Sequence, residues 1–175
     1  MVYIFLANGF EDVEAIQPRD LLLRAGIKVT TVGVGAKTVK SAFGLTVTAD
    51  ITEDELNLAD ADAVAFPGGM PGAANLAASP TVKNAIAFAL EHNRVIGAIC
   101  AAPGVVLANT GALSGKNYTC FPGFEVSEGN YTAAKVERDG NLVTGNGPAA
   151  AAEFAAVLAG AITPNAENLI RKMYK

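Results

Sequence analysis

Short apolar runs, each followed by a stretch with helical character, recur from one end of the chain to the other, and this alternation constrains the fold most. Val2-Tyr3-Ile4-Phe5-Leu6-Ala7 opens the series as a strand running into Asn8-Gly9-Phe10. A helix is predicted from about Glu11 to Arg24, stopped by Gly26 and kinked or bounded at Pro18. Lys28–Val34 reads as a second strand, and Val39–Ala49 as a hairpin turning at Phe43-Gly44. Thr52-x-x-Glu55 carries a capping box for a short helix. A buried strand at Ala63–Phe66 ends in Pro67-Gly68-Gly69-Met70-Pro71-Gly72, after which Ser79-Pro80 caps a helix to about His92. The next strand runs into Cys100 and a helix predicted to end near Gly111. A further strand covers about Lys116–Cys120. Ala134–Glu137 and Leu142–Thr144 form a hairpin around Asp139-Gly140, and helices follow from about Pro148 to Ala161 and from Pro164. Uncharged strands alternating with helices imply a mostly parallel sheet covered on both faces. No linker or internal repeat interrupts the pattern, so residues 1–175 are expected to form a single doubly wound domain.

The chain has 18 glycines and no tryptophan, and about half its residues are hydrophobic, which suits tight packing of helices on a sheet. A formal charge of −4 and no Lys/Arg cluster argue against a nucleic-acid partner. No apolar run is long enough to span a membrane. With no charged leader ahead of the first strand and only two cysteines, the expectation is a cytoplasmic protein with free thiols.

In such a sheet ligands bind outside the carboxyl ends of the strands, so the loops after strands are where chemistry belongs. Cys100 stands at one of these junctions, in Ile96-Gly97-Ala98-Ile99-Cys100-Ala101-Ala102-Pro103. A thiol there would be favoured as thiolate by a helix N-terminus, and small neighbours leave room for a sharp bend and a close substrate. The arrangement is that of a nucleophile elbow with Cys in place of Ser. Cysteine is also a frequent core residue, and the local string alone serves either use.

Glu14, set between apolar Val13 and Ala15-Ile16, falls in the first turn of the first helix. Beside a thiolate its carboxyl would be raised in pKa and would share a proton. Glu11 and Asp12 need no role beyond complementing the helix dipole. The Pro67-Gly68-Gly69 turn leaves backbone N–H groups unobstructed, and with the N–H of Ala101 it could form an oxyanion hole. The single histidine, His92, precedes the Cys100 strand, so roughly 16–20 Å of strand separates it from the sulfur. A Cys–His pair within one protomer is thereby excluded. No GxGxxG follows the first strand and no phosphate-binding loop is present, which points to chemistry without a cofactor. Two cysteines and a distant histidine do not make a metal site.

Taken together, these segments resemble the ThiJ/PfpI superfamily, and within it the YajL and Parkinson-disease-protein branch. The resemblance runs over nearly the whole chain. It rests on Gly9-Phe10-Glu11-Asp12-Val13-Glu14, Arg24-Ala25-Gly26-Ile27-Lys28-Val29-Thr30, Pro67-Gly68-Gly69, Ala98-Ile99-Cys100-Ala101-Ala102-Pro103 and Gly147-Pro148. It implies a flavodoxin-like three-layer α/β/α sandwich, similar to class I glutamine amidotransferases, and a homodimer. It further implies that Cys100 is a nucleophilic, oxidisable cysteine bonded to a protonated Glu14, with oxyanion-hole amides from Gly69 and Ala101. The activity implied is cofactor-independent conversion of methylglyoxal to lactate (glyoxalase III) or deglycation of glycated amino groups. The alternative is an oxidation-sensing or chaperone-like protein whose cysteine is taken to sulfinic acid. In one place the chain departs from many relatives, which carry a histidine before a proline near the cysteine. Here Phe121 precedes Pro122, leaving proton transfer to Glu14 alone or with water. Gly68, Cys120, Phe121 and Pro122 are expected to line the pocket, with Cys120 either packed in the core or placed as a resolving thiol.

Overall fold

The structure is a computed structural model describing residues 1–174. In chain order its elements are β1 (Val2–Leu6), α1 (Asp12–Arg24), β2 (Val29–Gly33), β3 (Thr38–Lys40), β4 (Thr46–Thr48), β5 (Ile51–Thr52), β6 (Ala63–Phe66), α2 (Gly72–Ala78), α3 (Pro80–Glu91), β7 (Val95–Ile99), α4 (Ala102–Val105), β8 (Asn117–Tyr118), β9 (Asn130–Tyr131), β10 (Val136–Asp139), β11 (Leu142–Gly145), α5 (Ala151–Ile162) and α6 (Ala166–Arg171). Seven strands form the main sheet in the order β10-β11-β7-β6-β1-β2-β5. Every pairing in it is parallel except the β10–β11 hairpin.

Alternation along β1 shows how the sequence builds three layers. Tyr3 and Phe5 point to one face, where α2 and α3 contribute Leu76, Val82, Ala85 and Ile86. Val2, Ile4 and Leu6 point to the other, against Leu21 and Leu22 of α1 and the Ala-rich face of α5 around Phe154. All five residues of β1 are buried, as a strand covered on both faces requires. This is the flavodoxin-like sandwich.

Local signals act as their chemistry dictates. Ser79 Oγ accepts the N–H of Val82 at 3.2 Å, with Pro80 opening α3. Thr52 N–H donates to Glu55 Oε2 at 2.8 Å, but the helix so capped is a single 3-10 turn, Glu53–Glu55. Three expectations need correction. Pro18 does not bound α1, which continues to Arg24 with Leu21 and Leu22 buried beyond it. The helix after Cys100 ends at Val105 rather than near Gly111. There the Thr110 hydroxyl donates to the Leu107 carbonyl at 2.6 Å, and Asn109 takes φ 60° with its N–H on Glu128, so side-chain bonds replace helical ones. The strand expected at Lys116–Cys120 is only two residues long and pairs with β9 outside the main sheet. The helix α2 has no counterpart in the sequence reading, where Ala73–Ala78 belonged to no element.

Candidate active site

The sheet order reverses around β1, which lies between β6 and β2, and at this switch three loops converge. They are the loop from β1 into α1, the glycine turn after β6, and the junction of β7 with α4. The first two are stitched by backbone bonds. Glu11 N–H donates to the Gly68 carbonyl at 3.0 Å, and Gly72 N–H to the Gly9 carbonyl at 3.2 Å. Such close approach needs glycine. A Cβ on Gly68 would lie 2.6 Å from Cys100 Cβ and 2.9 Å from Glu14 Oε2. Gly69, at φ 82°, would place one 2.5 Å from the Glu11 nitrogen.

Cys100 is held at φ 63°, in the left-handed region that non-glycine residues enter only when their surroundings fix them there. Its N–H donates to the Gly145 carbonyl at the end of β11, and its carbonyl accepts the Phe121 N–H, each at 2.8 Å. The bend turns the half-buried side chain toward Glu14 and toward the N–H groups of Gly69 and Ala101, which act on the sulfur. Gly145 is not singled out by the sequence reading, because its role depends on the register of β11 against β7, in which it faces Ile99.

Glu14 is 2 % exposed. Its Oε2 accepts the Gly68 N–H at 2.9 Å, while Oε1 is buried without a nitrogen or oxygen partner. Burial drives the Glu14 carboxyl up to about 7, and the contacts of the Cys100 thiol and the Gly68 N–H work against that rise. The thiol does not move in the direction expected of a helix N-terminus. Burial first, then the charge of Glu14, pushes Cys100 up to about 12, against the downward pull of the Gly69 and Ala101 amides. Burial of the sulfur and the adjoining acid outweigh the amides, and α4 is only one turn long. The two groups titrate as a pair.

Of the other expected pocket residues, Phe121 is partly exposed, and its ring would be 3.1 Å from a Cβ on Gly147. It stands edge-on to Phe124, with ring centroids 6.5 Å apart. Pro122 follows it on the surface. Cys120 is fully buried, in the cluster that holds Tyr118 and Leu113. Both thiols are free. His92 caps the far end of α3, stacked on Phe88 at 4.0 Å, with the whole of β7 between it and Cys100. Among the described residues no group of three or more His, Cys, Asp or Glu side chains is placed to hold a metal ion, and no helix is long and apolar enough to cross a membrane.

The sequence pattern of the DJ-1/PfpI family matches residues 1–161, which include every residue of this site. The chain belongs to the DJ-1/PfpI family. It is 36% identical over 159 residues to the Parkinson disease protein 7 homolog of Danio rerio, covering 87% of this chain and 84% of that protein. It is 31% identical over 149 residues to the glutathione-independent glyoxalase DJR-1.2 of Caenorhabditis elegans, covering 83% and 78%. Among solved structures it is similar to the oxidized DJ-1 of Toxoplasma gondii, with a TM-score of 0.89 and 29% identity over 98% of this chain and 96% of that one.

Proposed function

We propose that this protein is a cysteine-dependent, cofactor-independent enzyme that converts a small reactive dicarbonyl, with methylglyoxal as the representative substrate, into the 2-hydroxy acid. The observation carrying this reading is the strained Cys100, with the Gly69 and Ala101 N–H groups on its sulfur and the buried Glu14, its carboxyl pushed up to about 7, beside it. The name of the worm relative supports the substrate class.

In the reactive form Glu14 holds the pair's proton and the sulfur is thiolate. The sulfur adds to the aldehyde carbon of methylglyoxal, and the Gly69 and Ala101 amides bind the developing oxyanion, which takes up a proton to give a hemithioacetal. Glu14, ionised once its proton has gone to the oxyanion, removes the hydrogen from the former aldehyde carbon and passes it to the former ketone oxygen, giving an enediol. Transfer of the other hydroxyl's proton, through Glu14, to the former ketone carbon leaves a lactoyl thioester, which water hydrolyses to lactate and the free thiol. The sum is methylglyoxal plus water to lactate, with no net oxidation. Phe121 supplies no proton, so Glu14 performs every transfer.

The test is methylglyoxal consumption with lactate formation, alongside the pH dependence of Cys100 alkylation in wild type and Glu14→Gln. The reading requires lactate from wild type, and a Cys100 alkylation profile that is governed by the pair with Glu14 and shifts in the variant. An ordinary value near ~8.5 that ignores Glu14 would overturn it.

The same geometry supports a second reading, stress sensing through oxidation, since the similar Toxoplasma protein is known in an oxidized form. A protonated Glu14 would donate to a sulfinate on Cys100, with peroxide as the oxidant. Intact mass after mild peroxide should show one or two oxygens confined to Cys100. A homodimer goes with either reading. Sedimentation at micromolar concentration checks it, and a 17.9 kDa particle would refute it.

A further inference from the structure

At the edge of the sheet opposite Cys100, a cavity of about 210 Å³ opens where β7 and β11 begin. Ala89, Ile96, Ala112 and Leu142 form its apolar wall, while Asn93, Arg94, Lys116 and Asn141 bring polar groups to it. No carboxylate lines it, although the chain as a whole carries an excess of negative charge. The carbonyls of the last turn of α3 that face this end are already used. Phe88 O accepts from His92, Ala89 O from Arg94 and Leu90 O from Asn93. Asn141 Nδ2 is spent on the carbonyl and side-chain oxygens of Asn93, at 2.6 and 2.7 Å.

What remains unspent is cationic. Arg94 forms no ion pair and no side-chain hydrogen bond among the described residues, and its Nε is buried without an acceptor. A buried guanidinium N–H without an acceptor is a rare, costly feature that asks for a partner. Lys116, also in the wall, has its Nζ paired with Asp139 Oδ1 at 3.1 Å.

We propose that this cavity is a binding site for a small monocarboxylate with a short apolar body. The carboxylate would take a two-pronged contact from the Arg94 guanidinium, with Lys116 flanking, and the hydrocarbon would lie on Ala89, Ile96 and Leu142. The volume sets the size, because a cavity of about 150 Å³ already admits a benzene-sized body. One unpaired guanidinium and a largely aliphatic wall suit a monoanion better than a strongly hydrated phosphate. The site is separate from Cys100 and does not depend on the chemistry proposed there.

The experiment is titration of the ¹⁵N-labelled chain with sodium butyrate, ionic strength being held constant with sodium chloride. Saturating shifts are expected at the Asn93, Gly140 and Asn141 amides and at Arg94 Nε, with a Kd of about 1–10 mM. Arg94→Gln should weaken binding at least tenfold and leave Cys100 alkylation unchanged. Asn141→Asp, which places a carboxylate in the wall, should do the same and decides the matter if the first variant does not fold. Shifts that stay linear in butyrate, or equal affinity in a folded variant, would overturn the proposal. So would inorganic phosphate saturating the same amides at lower concentration.

Discussion

The two cysteines sit twenty residues apart in sequence and in opposite physical circumstances. Cys100 stands at a sharp bend with φ 63°, half-buried, with a carboxyl and two amides around its sulfur. Cys120 lies in ordinary backbone, fully buried in the cluster of Tyr118 and Leu113. Burial raises both thiols, to about 12 and about 11. Burial therefore does not distinguish the two thiols. The partners do. The Cys100 sulfur has a proton acceptor within reach and amides to receive an anion, whereas the charge that affects Cys120 is that of Glu125, which pushes its thiol further up.

The largest effect should come from removing the sulfur. Cys100→Ser is expected to lower methylglyoxal turnover by at least about 10³-fold, since a hydroxyl beside an acid is not a nucleophile at neutral pH. Lactate formation measured beside Cys120→Ala checks the contrast directly. Comparable loss in both variants would erase the distinction between the two thiols.

The next effect concerns stability and has a definite sign. Glu14 titrates at about 7 in the folded protein against an ordinary value near 4.5, so the folded state binds the extra proton between those limits. The unfolded chain holds fewer protons in that window, and folding stability must fall as pH rises from about 4.5 to 7, then level off as far as this group is concerned. The loss amounts to about 3 kcal/mol. Glu14→Gln, neutral at every pH, should lack this slope. Chemical denaturation of both proteins at pH 5 and pH 8 measures it, and identical pH dependence would contradict a buried, raised Glu14.

A smaller effect tests why the loops can meet at all. Gly68→Ala puts a methyl 2.6 Å from Cys100 Cβ, and the site must open to admit it. Overpacking of this kind costs about 1–3 kcal/mol, and here it also moves the thiol away from Glu14. The variant should therefore be less stable and alkylate with an altered pH profile. A stability loss alone would mean that the turn supports the fold but does not aim the sulfur.

Much of this site was legible in the sequence, and the limits of the reading are physical. β6 falls on Ala63–Phe66 as its uncharged run and following glycines indicate, and Ser79 caps α3 as its side chain allows. The junction at Cys100 was readable because small residues cluster where a strand must stop. Glu14 was readable because a carboxylate among apolar neighbours has to face something. Chain-distant bonds left no local trace. Glu128 reaches Asn109 just beyond α4 from nineteen residues away, and Gly145 reaches Cys100 through strand register. The direction of the thiol shift escapes the sequence for the same reason, since it depends on burial and on Glu14, far away along the chain.

The smallest effect closes the comparison from the other side. Cys120 fills a fully buried position in the Tyr118 cluster, and Cys120→Ala leaves a cavity the size of a sulfur atom, for a loss of about 1 kcal/mol. Its neighbour Phe121 nonetheless bonds through its N–H to the carbonyl of Cys100. Packing at position 120 could thus reach the site through one peptide unit. If Cys120 serves only as core, the variant keeps wild-type turnover within about twofold, and the alkylation profile of Cys100 is unmoved. If it serves as a resolving thiol, peroxide-treated wild type forms a Cys100–Cys120 disulfide, seen as a loss of two hydrogens by intact mass, and the variant gains oxygen instead. The core reading is the one supported by complete burial and by the Cys100 side chain turning toward Glu14, and a disulfide in that spectrum would reverse it.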